Sequence, residues 1–140
     1  MEKIKKIFIG FLFLFIITGC SLFTDTWIYD DLPHGYAIQK TGETTMVVGK
    51  YIDDLFEIKN GKKTIGFEAY VTEFQQGKRY VGFKCAKSKD ESIELFFYII
   101  DTEKEDLYGP YDMESTYEAV KSKIVDEDLG EWVKTSTINE

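Results

Sequence analysis

In three segments between residues 65 and 100, 65–72, 80–86 and 93–100, apolar residues recur at every second position, the spacing of strands that turn one face to a core. Ile65, Phe67, Ala69 and Val71 share one face, with Gly66, Glu68, Tyr70 and Thr72 on the other. Gln75-Gln76-Gly77-Lys78 turns the chain back into a segment from Tyr80 to Ala86, where Val81, Phe83 and Cys85 point one way. These two segments predict an antiparallel hairpin with one buried face. From Ile93 to Ile100 both faces are apolar, Ile93, Leu95, Phe97 and Ile99 on one and Phe96, Tyr98 and Ile100 on the other. Such a strand belongs in the interior of a sheet with a layer against each side.

The flanking sequence fits the same architecture. Trp27 and Tyr29 open a strand, and Leu32-Pro33-His34-Gly35 reads as a turn. Strands are expected at 36–40 and 44–51, separated by Thr41-Gly42-Glu43. Asn60-Gly61 is the best short hairpin signal, because these residues tolerate the positive φ of a tight turn. Asp101 to Asp106 is an acidic turn into a short strand at Leu107-Tyr108, which Gly109-Pro110 is expected to end. Asp112 then suits a helix N-cap with Glu114 in the first turn, and Met113, Tyr117, Val120 and Ile124 form one helical stripe. Lys121 and Lys123 suit the negative helix end, and Glu131 to Thr137 adds a last strand through Trp132. The expected fold is α+β, an antiparallel meander of about six strands with one C-terminal helix packed on the sheet, in a single domain over 27–140.

The N-terminus carries a different message. Lys3, Lys5 and Lys6 precede an uncharged run from Ile7 to Ile17, followed by Thr18-Gly19-Cys20-Ser21. Eleven residues are too few for a bilayer span of ~20 but suit the ~7–15 of a signal-peptide h-region. Ile17-Thr18-Gly19-Cys20 resembles the lipobox of bacterial lipoproteins. The resemblance implies a signal peptide over 1–19, cleavage between Gly19 and Cys20, and a diacylglycerol in thioether linkage on Cys20. Two acyl chains, at ~0.8 kcal/mol per buried methylene, anchor a protein where one chain binds only marginally. Residues 20–26 are then the lipidated cysteine and its tether, the tether from Ser21 to Thr26 reaching roughly 20 Å at ~3.3 Å per residue. The expected address is the extracytoplasmic face of the cell membrane. Ser21, rather than Asp, after the cysteine is compatible with an outer membrane in a cell that has two.

Charge and cysteine usage agree with export. The chain carries 17 Lys and Arg against 25 Asp and Glu, a net −8. Without residues 1–19 the balance is 14 positive to 24 negative, about −10. Nucleic acid is excluded as a partner, since its phosphates call for a basic face. Anionic head groups repel such a domain, so membrane attachment is expected through the lipid. With Cys20 acylated, Cys85 is the one remaining thiol and no internal disulfide forms.

Residue types for chemistry are sparse. Cys85 and His34 are the types of a nucleophile and base. The phase of Cys85 with Val81 and Phe83 marks it as a core residue, and His34 sits in a turn. Asp101, Glu103, Glu105 and Asp106 offer oxygens to a hard cation, but Lys104 intrudes and the EF-hand spacing is missing. Asp126-Glu127-Asp128 fails in the same way. Asp30-Asp31 and Asp53-Asp54 are neighbours whose side chains diverge on a strand, so adjacency makes no acid–base pair. No phosphate loop, nucleophile elbow or zinc spacing occurs, and no cofactor is implied. Tyr70, Tyr80 and Tyr98 are the candidate contact surface, as exposed Tyr offers contact area at small entropic cost; the competing reading covers them with the helix.

The lipobox, the Leu32-Pro33-x-Gly35-Tyr36 turn, Tyr98-Ile99-Ile100-Asp101, and Tyr108-Gly109-Pro110 before a helix together resemble a family of small bacterial lipoproteins with a domain of unknown function. The resemblance implies a fold and an address and brings no catalytic residues. The expected role is non-enzymatic, an accessory or binding lipoprotein acting through surface contacts. One alternative is a protective lipoprotein that neutralises a basic hydrolase or toxin. The other is an envelope enzyme, which requires the carboxylates or Cys85 and His34 to converge.

Overall fold

The structure is a computed structural model that describes residues 26–43, 45–87 and 94–138. The leader, Gly19, Cys20, the tether as far as Asp25, Thr44 and Ile93 lie outside these residues. Chain order is β1 (Trp27–Tyr29), a 3-10 turn (Pro33–Gly35), β2 (Tyr36–Lys40), β3 (Met46–Ile52), β4 (Leu55–Glu57), β5 (Lys59–Asn60), β6 (Lys63–Thr64) and β7 (Phe67–Glu68). Next come β8 (Tyr70–Gln76), β9 (Tyr80–Ala86), β10 (Phe96–Asp101), β11 (Asp106–Tyr111), α1 (Glu114–Ile124), β12 (Val133–Lys134) and a second 3-10 turn (Thr135–Thr137).

All strand pairs are antiparallel, and α1 is the one α-helix among the described residues. The α+β class is as expected. The single meander of six strands is corrected: among the described residues there are twelve strands, which divide into two five-stranded sheets and a small hairpin. The first sheet runs β1-β2-β3-β4, with β7 also paired to β3; the second runs β11-β10-β9-β8-β12. The division occurs at Ala69. Phe67 and Glu68 pair with Val48 and Val47 in the first sheet, whereas Tyr70 pairs with Ala86 in the second. Alternation reports which face is buried and is silent on which sheet a strand joins.

Two apolar layers result. Leu32, Tyr36, Ile38, Met46, Val48 and Phe67 meet Val71, Phe74, Val81, Phe83, Cys85 and Ile100 between the sheets. On the outer face of the second sheet, Tyr80, Phe97 and Ile99 pack with Tyr117 and Leu129, joined by Val120, Ile124 and Trp132. β10 serves both, with Phe96, Tyr98 and Ile100 toward the first sheet and Phe97 and Ile99 toward the helix. Its expected coverage on both faces holds, except that Leu95 just ahead of it is exposed.

Local boundaries moved where a neighbouring pairing overrode a local signal. Gly109-Pro110 does not end β11, which continues to Tyr111 through a register irregularity against β10. An edge strand tolerates Pro because its outer N–H has no ladder partner to lose. The strand thus ends at Tyr111, and the chain bends through Asp112 and Met113 before the helix begins at Glu114. Met113 takes the N-cap position with no side-chain bond, and it is exposed rather than part of the buried stripe. In the β5–β6 hairpin Gly61 carries the positive φ expected of Asn60-Gly61.

The helix is seated by an absent side chain. Gly82 on β9 leaves open the space that a Cβ would fill, and the Tyr117 hydroxyl occupies it. From there Tyr117 Oη donates to Gln75 Oε1 at 2.7 Å. Gly82→Ala forces the ring off the sheet and lowers the stability by about 1–3 kcal/mol in urea unfolding, the usual cost of overpacking. In a Tyr117→Phe background the same substitution costs less, because the clashing oxygen has been removed.

Candidate functional site

The register places the chain reversals at two opposite ends of the sandwich. One end gathers the β8–β9 turn, the β10–β11 turn, the Pro33–Gly35 turn, the β3–β4 turn and the β5–β6 hairpin, and it is held by charge. Arg79 clasps Asp101 through Nε and Nη2 at 2.9 and 2.8 Å, while its Nη1 reaches Glu103 at 3.3 Å. Asp101 is buried and also accepts the N–H groups of Glu103 and Lys104 at 3.2 and 3.1 Å. Glu105 receives Lys50 Nζ at 2.5 Å from the first sheet and Asn60 Nδ2 at 2.8 Å from the hairpin. Lys63 pairs with Asp106 at 2.8 Å. Glu127 accepts the successive N–H groups of Lys78, Arg79 and Tyr80 at 3.0, 2.9 and 2.9 Å and so caps the β8–β9 turn.

These partners decide the protonation of the acids. Burial pushes Asp101 upward, but the Arg79 guanidinium and the two turn N–H groups outweigh it and hold the carboxyl below its ordinary range. Glu127 behaves likewise, its desolvation outweighed by the three N–H donors. Glu105 is lowered by Lys50 and Asn60. Among the described residues no cluster of acidic, His or Cys side chains has the form of a metal site. The acidic 101–106 turn thus serves as a lock between the sheets. Arg79 and Lys50, and the capping role of Glu127, are what reasoning from sequence missed, since no local spacing links them to partners 22 to 55 positions away.

The opposite end is open. Thr45, Met46, Glu68, Tyr70, Lys87 and Phe96 line a solvent-open groove of about 350 Å³ between the sheet ends. Its volume is within the ~300–1,000 Å³ range of small-molecule sites, although its lining mixes charged and apolar side chains rather than being mainly apolar. Glu68 and Lys87 stand exposed at the rim, and Lys87 lies 3.4 Å from Glu94.

Of the three tyrosines expected to form one exposed surface, Tyr80 is buried under the helix layer, while Tyr70 and Tyr98 pack against the core between the sheets. Tyr98 stacks on Phe67 with centroids 3.9 Å apart. That surface is therefore corrected: residues of even number on β9 and β10 face opposite layers because the two strands pair across an odd offset, Tyr98 opposite Phe83. Tyr70 lines the groove at the open end.

Cys85 and His34 are not brought together. Cys85 is fully buried, and desolvation alone pushes its thiol far up, with no cation or hydrogen bond to form a thiolate. His34 is exposed at the charged end, with φ 57° and Nδ1 3.0 Å from Thr102 Oγ1. Asp30 and Asp31 follow β1, and Asp53 and Asp54 form the β3–β4 turn with positive φ. Comparison with protein-family models, curated proteins and solved structures finds no match for this chain.

Acid should open the charged end first. Asp101, Glu105 and Glu127 have folded pKa values below their ordinary 3.8, 4.5 and 4.5, so their contribution is intact above those values and is lost as pH falls through the lower folded ones. Urea midpoints are expected to stay level from pH 7 to about 5 and to drop below about 4.5; a drop already under way near pH 6 would contradict the assignment. The proton of His34 is also predictable. Thr102 donates its hydroxyl hydrogen to Arg79 O, so it can only accept from His34, and the neutral imidazole carries its proton on Nδ1. Long-range 1H–15N NMR spectra distinguish this tautomer from the Nε2–H form.

Proposed function

We propose that this chain is a lipid-anchored binding protein of the cell envelope, attached through Cys20 and acting by surface contact rather than catalysis. The observation that carries the reading is Ile17-Thr18-Gly19-Cys20 behind a basic segment and an eleven-residue uncharged run. The described domain is consistent with it. β1 begins at Trp27, seven residues beyond the cysteine. The groups that carry reactions are engaged in the fold: the thiol is buried, and the carboxylates of the 101–106 turn are tied to Arg79, Lys50 and Lys63. The resemblance to small bacterial lipoproteins belongs to this same proposal.

The second reading, a protective lipoprotein that blocks a basic hydrolase or toxin, is favoured by one observation. Asp30, Asp31, Asp53, Asp54, Glu103, Asp126 and Asp128 accompany the locked carboxylates at the charged end, which is where a cationic partner is attracted most strongly.

The decisive test is on the thiol at position 20. In cells the mature protein should carry a diacylglycerol mass on Cys20 and sediment with membranes, and Cys20→Ala should abolish both. Finding residue 20 unmodified, with residues 1–19 still attached, refutes the anchor.

A further inference from the structure

The anchor reading fixes one end of the chain, and the strand register fixes where that end enters the sandwich. Trp27 pairs with Lys40, Lys40 with Met46, and the Met46 carbonyl accepts the Ala69 N–H at 3.1 Å. The first residue of β1 thus lies in the same row as the groove, about three strand spacings away, or ~14 Å. Tyr70 opposite Ala86 and Cys85 opposite Phe96 close the same end of the second sheet. The charged turns lie at the far end of β8 and β9, ~20 Å away at ~3.3 Å per residue.

We propose, resting on the lipid anchor, that the groove end of the sandwich faces the bilayer and that the groove receives phospholipid head groups. The occupant is argued from three observations. The chain between Cys20 and Trp27 spans no more than roughly 25 Å, so the end that carries Trp27 is held within reach of the head groups. Charge is distributed along the long axis in the matching sense. Among the described residues the far end carries Asp30, Asp31, Asp53, Asp54, Asp126 and Asp128 beyond the carboxylates that Arg79, Lys50 and Lys63 pair, an excess that an anionic leaflet repels, whereas the near end carries Lys40 and Lys87 beside Glu43, Glu68 and Glu94. Finally, the groove is mixed in character: Met46, Tyr70 and Phe96 line it together with Glu68 and Lys87, apolar and aromatic residues beside one carboxylate and one cation. That is the pattern that phosphate and ammonium groups over acyl chains complement, and aromatic side chains favour that interfacial depth.

The buried thiol makes the test direct. Cys85 is inaccessible and Cys20 is acylated, so a single added cysteine can be labelled in the full-length lipidated protein. Glu68→Cys marks the groove rim and Lys62→Cys the tip of the β5–β6 hairpin at the far end; both positions are exposed. Each variant carries an environment-sensitive fluorophore and is reconstituted into vesicles of phosphatidylethanolamine with a minority of phosphatidylglycerol, with and without head-group nitroxide lipid. The label at 68 should shift to the blue and lose emission to the nitroxide, while the label at 62 keeps its emission. Equal quenching at the two positions, or stronger quenching at 62, overturns the orientation. A label at 68 that is shielded but unquenched means that protein covers the groove, and also overturns it. Flotation separates the two readings. Protein that floats with vesicles but shows no quenching at 68 refutes the orientation alone, and protein that stays in solution refutes the anchor on which it rests.

Discussion

The β9–β10 pair is apolar on both faces, and that constraint organises everything around it. Val81, Phe83, Cys85 and Ile100 look one way, Tyr80, Phe97 and Ile99 the other. Burial of each large side chain is worth ~1.5–3 kcal/mol, so neither face can be left in water. The first sheet supplies the cover on one side. On the other, one helix is enough, because Gly82 lets Tyr117 settle onto the sheet and Trp132 and Leu129 fill the space beside it. A central strand with no polar face to give to solvent needs a layer on each side, and the sheet–sheet–helix stack provides both.

Charge has a structural task at one end of this stack. Apolar contact between sheets sets their spacing but is indifferent to small slides. Arg79 on Asp101, Lys50 on Glu105 and Lys63 on Asp106 make directional links from the β10–β11 turn to the β8–β9 turn, to β3 and to the hairpin. Asp101 is the sensitive member, since it is buried and stable as an anion only with its guanidinium and turn N–H donors in place. The excess of acid in the composition is thus partly internal: several carboxylates that look like a solvated acidic surface in sequence are satisfied within the fold.

The two ends differ in the sense that the proposed anchor calls for. The locked end is cross-linked by ion pairs, acidic and away from the entry of the chain. The open end has charges of both signs, a groove with aromatic walls and the start of β1. The strand register separates the two ends by the length of a hairpin.

The period of two in 65–100 established β structure, a buried face and a central strand, because strand geometry projects directly onto sequence. Phe97 and Ile99 fall on one side and Phe96, Tyr98 and Ile100 on the other as their parity dictates. The lipobox resemblance rests on four consecutive residues, Ile17-Thr18-Gly19-Cys20, and so needs no fold to be read. Tertiary structure alone decided the rest. Nothing local distinguishes Ala69 from its neighbours, yet there the chain changes sheets, and a pattern of faces holds no information on partners. Tyr80 and Tyr98 share parity and still occupy opposite layers, because the register between β9 and β10 is set by long-range pairing. The groove and the Arg79–Asp101 lock are assembled from residues far apart in sequence, and their chemistry exists only once the two sheets have met.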